Sequence, residues 1–399
     1  MASARQGALQ GLKVVDLTRV LAGPLCTQML ADHGADVVKV EPPAGDETRK
    51  LAPPLTPSRQ SAYFAALNRG KQSISLDLSK RDGQDVLHAL LRDADVLVEN
   101  FVPGTLERWG LGYEQALAAR YPRLVMCSIS GFGADGPLGG LPGYDAVLQA
   151  ACGLMSINGS ADSGPTKLGI PVVDHLTGYA ALSGILMALR ARDRDGRGQR
   201  VEATLYDTAI SLLVPHAANW LSSGECPAPL GSAHPNIAPY DKFCAADGEV
   251  FIGVVNDGQF RRLCQAIGRP DLVADPRFAD NAQRVRHRDA LTARIEAALG
   301  GQRAAPLADT LMQAGVPAAV VNDVAAALNH PHTAHRQLLV RKGRYTGLRA
   351  PMRLLGTPAC PGREPPELDQ DRAAVLARVR PSSADDAGPA IDRQEVPMK

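Results

Sequence analysis

Short, almost wholly apolar runs alternate with helical patterns through the first half of the chain, and that alternation leaves few folds open. Strand patterns fall at residues 12–17, 36–41, 73–78, 95–99, 124–129 and 200–205. Helical patterns lie between them at 25–35, 82–94 and 114–120, and a long one follows Asp174 over residues 175–192. Runs such as VVDL and VLV show no polar alternation, as expected of strands covered on both faces of a parallel sheet. Strands alternating with helices read as βαβ units and hence as an α/β, doubly wound domain. The long helix carries Gly178, Ala180, Ala181, Ser183, Gly184 and Ala188, a surface of small side chains that suits close packing against another element.

The chain has 399 residues, more than one hydrophobic core serves well, so two domains are expected. A second apolar helical pattern covers residues 209–221, and the Gly/Pro-rich stretch 224–231 reads as a linker. Beyond it the pattern restarts, with a strand at 249–254, a helix at 259–267 and further helices to 314. The expected division is a large domain beginning with 1–200, a connector over 201–227, a smaller α+β domain over 228–325, and a connector and return to the large domain over 326–399. The polar tail from Ser382 reads as frayed.

Formal net charge is +1, which removes the broad basic surplus of a nucleic-acid or membrane-surface binder. The N-terminal ten residues lack the apolar core of a signal peptide, and no apolar run reads as long enough to span a bilayer. The seven cysteines are scattered without a CxxC or a neighbouring histidine at ligand spacing. They read as reduced, mostly buried residues of a cytoplasmic protein with no metal site.

Candidate chemistry falls into a few segments. Asp174 stands at the start of the long helix, where a capping role explains it as well as a chemical one. The chemical reading is that backbone N–H groups and the helix dipole keep the carboxylate ionised, ready to attack an activated carbonyl. The turn after the fourth strand, Asn100-Phe101-Val102, lies where ligands bind in open parallel sheets. It offers amide donors and an aromatic face, with Arg108 nearby for a phosphate, although an Asx-turn and a surface arginine fit equally. Residues 131–136 spell GxGxxG, but Pro137, Gly139 and Gly140 follow and no helix opens to receive a pyrophosphate, so the dinucleotide fingerprint is rejected. Tyr144 begins a helical pattern and can line a pocket or simply pack. Lys39 can reach a phosphate or pair with Glu41. His234, Pro239 and Tyr240 lie in a connector.

Together these segments resemble the class III CoA-transferase family, which includes formyl-CoA and carnitine CoA-transferases and the 2-methylacyl-CoA racemases. The resemblance is carried by GLKVVDLTRVLAGPLCTQMLADHGADVVKVEPPAGDETR (11–49), NRGKQSISLDL (68–78), VENFVPGTLERWGLGY (98–113), SISGFGADGP (128–137), GRGQRVEATLYD (196–207) and VPAAVVNDVAAALNHP (316–331). It implies a large Rossmann-like domain, a small α+β domain and an interlocked homodimer. It places the nucleophile on Asp174, in GIPVVDHLTGYAA, and CoA-binding positions on Leu21, Ala22, Leu76, Asn100, Phe101, Val102, Arg108 and Tyr144. CoA and acyl-CoA are then substrates, and no metal is implied. Formyl-CoA transferases carry glutamine at the position of Leu21 and arginine at that of Pro42, and their tri-glycine loop has no counterpart, which points away from a formyl or oxalate enzyme. Racemases place a histidine where Tyr144 stands, and tyrosine, titrating near pH ~10, is a poor base, so a racemase is the alternative rather than the leading reading. HAANWLSSGE (216–225) and GSAHPNIAPYDKF (231–243) resemble the branch that takes succinyl-CoA and dicarboxylic acids. Arg19, Arg49 and Lys71 are then candidates for meeting a distal carboxylate.

Overall fold

The structure is a computed structural model that describes residues 7–379; the frayed tail expected from Ser382 and the first six residues lie outside them. The chain divides into two compact units. One comprises residues up to 148, 170–210 and from 337 onward; the other comprises 149–169 and 211–336. The excursion at 149–169 was marked by nothing in the sequence pattern.

The first unit is built on six parallel strands: β1 (Lys13–Asp16), β2 (Asp36–Glu41), β3 (Gln72–Ser75), β4 (Val96–Glu99), β5 (Val125–Ser130) and β6 (Arg200–Thr204). Their order, β3-β2-β1-β4-β5-β6, is that of a doubly wound Rossmann sheet, with the switch of direction between β1 and β4. The central strands are buried almost throughout, as their unbroken apolar runs require. Leu17, Val40, Ile74, Leu87, Leu97, Leu117 and Met126 belong to the core on one face. Helix α1 (Ala22–Asp32) is buried nearly all round and packs against the helix Val172–Asp195. The edge strand β3 is covered by the returning C-terminal segment: Ser73 N–H donates to Asp371 (3.0 Å) and Ser75 N–H to Asp369 (2.8 Å), so the edge has no free template for another strand. A hairpin of β10 (Leu339–Lys342) and β11 (Tyr345–Leu348) completes the unit.

The second unit contains an antiparallel sheet, β7 (Tyr240–Ala245), β8 (Gly248–Gly253) and β9 (Ala318–Val320), in sequential order. Phe243, Val250, Ile252, Phe260, Leu263, Phe278, Leu291 and Ile295 form its own core. His234 lies edge-on to Tyr240, and its carbonyl accepts from Arg288 (2.6 Å), so the AHPNIAPY segment has a packing role within that unit.

Three sequence expectations are corrected. The apolar pattern at 209–221 is two helices, Leu205–Ser211 and His216–Ser223, because Pro215 cannot continue a helix. The long helix begins at Val172, with Pro171 as its flanking residue, which places Asp174 inside the first turn rather than at the cap. That helix is also, by length and composition, apolar enough to cross a membrane. Nearly half of the apolar window is buried within the protein, as in the core helix of a globular fold.

Candidate active site

The cleft at the carboxyl edge of the sheet is assembled by three loops and one helix. The turn after β1 contributes Arg19, Val20, Leu21 and Ala22. The turn after β4 contributes Asn100, Phe101 and Val102. The glycine-rich segment after β5 contributes Gly131, Leu141, Gly143 and Tyr144, and the Val172–Asp195 helix contributes Asp174. A neighbouring cleft is lined by Leu76 and shares Arg19, Phe101 and Val102. Seven of the sequence-identified positions, Leu21, Ala22, Asn100, Phe101, Val102, Tyr144 and Asp174, therefore meet in one cleft, and Leu76 lines the adjoining one. Arg108 stands apart. It is exposed, donates to the Thr105 hydroxyl (2.9 Å) and lines neither cleft.

Buried charges hold the first loop from below. The Asp16 carboxylate accepts from Thr18 N–H (2.9 Å) and from the Thr27 hydroxyl (2.7 Å), and pairs with Lys71 (3.0 Å). Lys39 donates to the Thr18 carbonyl (2.6 Å) and pairs with Asp46 (3.1 Å). Asp16, Lys39 and Lys71 are fully buried. Above this network Val20 sits at φ +68°, a left-handed conformation that a β-branched residue adopts only when its surroundings impose it. Asn100 supplies part of that constraint: its Oδ1 accepts from Arg19 N–H (2.9 Å) and its amide donates to the Arg19 carbonyl (2.7 Å). Its amide, expected to face a ligand, is thus engaged in joining two cleft loops. Arg19 reaches across Phe101, 5.4 Å from the ring centroid, and pairs with Glu47 at 2.8 Å.

The other two cations considered for a carboxylate do not line the cleft. Lys71 is surrounded by Asp16, the Pro24 carbonyl and Asn68 in the core. Arg49 grips Glu41 with two bonds of 2.7 Å and also donates to the Pro366 carbonyl. Lys39 likewise faces the core and cannot meet a phosphate. Of the three candidates, Arg19 alone lines the cleft with Asp174.

Close packing fixes the height of Asp174. A Cβ on Gly178 would stand 2.7 Å from the Ala22 carbonyl oxygen, so the helix meets the start of α1 at Gly178, whereas Ala180 and Ser183 of the small-residue surface read from sequence are exposed. Gly178→Ala is expected to destabilise the protein by about 1–3 kcal/mol, the usual penalty of overpacking. It should also lower turnover by shifting Asp174 relative to Leu21 and Ala22. An unchanged melting temperature and rate would show that the contact relaxes freely.

The charge state of Asp174 differs from the sequence expectation. The first-turn N–H groups of Val173 and Asp174 are bound by the Asp145 carboxylate at 2.8 and 3.2 Å. They do not serve Asp174. Burial, with the negative charge of Asp145 beside it, pushes the Asp174 carboxyl up to about 7. Desolvation and the charges of Asp174, Asp145 and Asp46 push Tyr63 to about 12. At the foot of the second loop, Glu99 accepts from Phe101 N–H (2.8 Å), and burial raises it to about 7. His175 turns its ring back to the Pro171 carbonyl (2.9 Å), away from the role of a second base. Sequence reasoning missed Asp145 as a partner of Asp174; its one signal was an acidic residue at the start of the helix Asp145–Ala151.

A doubly wound sheet with a carboxylate set in a cleft at its carboxyl edge places that group where ligands bind in open α/β folds, as covalent acyl transfer requires. The family model for CoA-transferase family III matches residues 9–372. An acetyl-CoA:oxalate CoA-transferase of Acetobacter aceti is 41% identical over 93% of this chain and 95% of its own length. A succinate–glutarate CoA-transferase of Agrobacterium fabrum is 40% identical over 94% and 96%. A CAIB/BAIF family protein from Brucella suis, 40% identical, superposes with a TM-score of 0.84 over 94% of this chain and all of that one. Rv3272 from Mycobacterium tuberculosis gives 0.84 at 32% identity, again over 94% of this chain and all of that one. The chain belongs to CoA-transferase family III and is a CoA-transferase.

Proposed function

We propose that the protein moves CoA from an acyl-CoA donor, succinyl-CoA in the first instance, to a dicarboxylic acid, with Asp174 as the nucleophile. The observation that carries this reading is the placement of the Asp174 carboxyl in one cleft with Leu21, Ala22, Asn100, Phe101, Val102 and Tyr144. The relatives' acids support the acceptor class: oxalate and glutarate, and mesaconate for a Haloarcula hispanica enzyme 40% identical over 93% of this chain, are all dicarboxylic. One of these relatives is named for oxalate, the acid that the departures at Leu21 and Pro42 point away from.

In the proposed sequence, the Asp174 carboxylate attacks the thioester carbonyl, forming a mixed anhydride and releasing CoA thiolate. The thiolate attacks the aspartyl carbonyl, giving an aspartyl-CoA thioester and the free donor acid. The acceptor carboxylate then attacks that thioester, forming a second anhydride and releasing the thiolate again. Attack of the thiolate on the acceptor's acyl carbon yields the new acyl-CoA and restores Asp174. Covalent catalysis divides one difficult exchange into four easier steps. Backbone N–H groups around Gly131 and Gly143 are suited to the tetrahedral oxyanions.

Arg19 is assigned to the distal carboxylate, because a guanidinium on the cleft wall can form a forked pair with it. Arg19→Ala is expected to raise the acceptor KM by on the order of 10- to 100-fold, from a lost charge-assisted bond of about 1.5–3 kcal/mol, and to spare monocarboxylic acceptors. Equal effects on both acceptor classes would remove Arg19 from this role. We read the protein as a cytoplasmic homodimer. Apolar Trp220 and Leu221, 49% and 76% exposed on the helix His216–Ser223, support a second copy covering that face, and light scattering at micromolar concentration reads the mass. The deciding assay mixes the protein with succinyl-CoA and mono- or dicarboxylic acids and reads new CoA esters by mass spectrometry. Deuterium uptake at the α-carbon of a branched acyl-CoA, without new esters, would establish the racemase instead.

A further inference from the structure

The carboxylate that organises the nucleophile's backbone comes from outside its helix. Asp145 follows the glycine-rich segment, in which Gly131 and Gly143 pass so close that a Cβ on Gly131 would lie 2.9 Å from Gly143 Cα. That close approach delivers Asp145, 7% exposed, to the start of the Val172–Asp195 helix. One oxygen, Oδ1, accepts from Val173 N–H at 2.8 Å and Asp174 N–H at 3.2 Å. These are the second- and third-position donors that a helix's own capping side chain usually satisfies. Pro171, which flanks the helix, has no side chain able to do so.

We propose that Asp145 is a positioning residue for the nucleophile: it locks the first helical turn and sets a fixed negative charge against the Asp174 carboxylate, which acylation of Asp174 relieves. The inference rests on the transferase reading above. A neutral asparagine or serine would cap the same N–H groups, so capping alone does not require a charge. What the charge adds is chemical. Free Asp174 is an anion beside an anion in a partly desolvated place. In the anhydride and the aspartyl-CoA thioester it is neutral, and the repulsion disappears. The charge therefore makes the carboxylate a stronger nucleophile and favours the covalent state over the free one. Burial and, after it, this charge push the Asp174 carboxyl up to about 7. Other titratable groups around the cleft do not supply the same effect. Arg19 and Glu47 pair with each other, Tyr63 is pushed toward its neutral form, Tyr144 is 68% exposed, and His175 is turned to the Pro171 carbonyl.

The test compares wild type with Asp145→Asn and Asp145→Ser, which keep an acceptor for the two N–H groups but carry no charge. Two readouts are taken: the pH dependence of kcat/KM, and the fraction of protein carrying a CoA adduct on Asp174, by intact mass, after mixing with succinyl-CoA without acceptor. In the wild type the rate should fall as pH drops through about 7, where the carboxylate takes up a proton. In both variants that limb should move down by about one pH unit or more, and the adduct fraction should drop several-fold. A limb and an adduct fraction unchanged in a folded variant would overturn the proposal and leave the transferase reading intact. Absence of any adduct or exchange in the wild type would overturn both. Should Asp145→Asn not fold, Asp145→Ser, with its shorter capping hydroxyl, carries the comparison.

Discussion

Asp174→Asn is expected to abolish CoA transfer, with kcat falling on the order of 10⁴-fold or more, because it removes the proposed nucleophile. The asparagine amide has the carboxylate's shape but is not a nucleophile, so CoA affinity should change little, since the cleft loops are held by Asn100 and the buried ions rather than by Asp174. The same variant has a stability signature. The Asp174 carboxyl lies at about 7 in the folded protein against an ordinary value of 3.8, so the folded state binds the proton more tightly than the unfolded chain. The resulting penalty is absent below about pH 4, grows as pH rises toward 7 and is complete above it. Asp174→Asn removes it, and the variant should be more stable than wild type at pH 8 by on the order of 1–4 kcal/mol, the difference vanishing toward pH 4. Thermal unfolding at the two pH values reads this directly. Residual turnover near the wild-type rate would sink the assignment of the nucleophile, and equal melting temperatures at pH 8 would contradict the perturbed carboxyl.

Lys71→Met produces the largest loss of stability. Lys71 is fully buried, with its ammonium 3.0 Å from Asp16, 3.0 Å from the Pro24 carbonyl and 2.8 Å from Asn68 Oδ1. Methionine fills most of the volume but satisfies none of these acceptors and leaves Asp16 short of a counter-charge. Breaking one partner of a buried pair costs about 3–5 kcal/mol, a fall in melting temperature on the order of 10 °C for a unit of this size. Activity should fall too, because Asp16 also binds Thr18 N–H beneath the strained Val20 turn. A melting temperature within a degree of wild type would mean that Lys71 is not part of the core network. A change confined to the acceptor KM would return it to the substrate-binding role that its burial argues against.

Much of this enzyme was legible in one dimension. Strand β2 was read at its observed bounds, and β1, β4 and β5 within a residue or two, because an apolar run between turn residues records burial on both sheet faces in the order of the residues themselves. The small residues of the long helix were legible too: Gly178 comes close to Ala22 and Leu25 on α1, and Gly184, about a third of a turn round the helix, to Val201 on β6. Asp174 was singled out by its place at the start of that helix and by the surrounding motif.

Charge partners were not legible. Lys39, Arg49 and Lys71 each looked like a group waiting for an anion, as Arg19 did, and nothing local separates them. What separates them is which side of the sheet edge each side chain falls on. Lys71 meets a carboxylate 55 positions away, and Asn100 clamps a residue 81 positions away. The state of Asp174 was misread for the same reason: its carboxyl is pushed up first by burial and then by the charge of Asp145, 29 positions earlier, which also takes the N–H groups. Periodicity and propensity are interactions between near neighbours, so the sequence by itself determined the elements, the parallel sheet and the helix that carries Asp174. Desolvation and Coulomb interactions depend on distances that only packing sets, so the tertiary structure alone decided which charges are buried, which of the candidate cations lines the cleft, and how tightly the Asp174 carboxyl holds its proton.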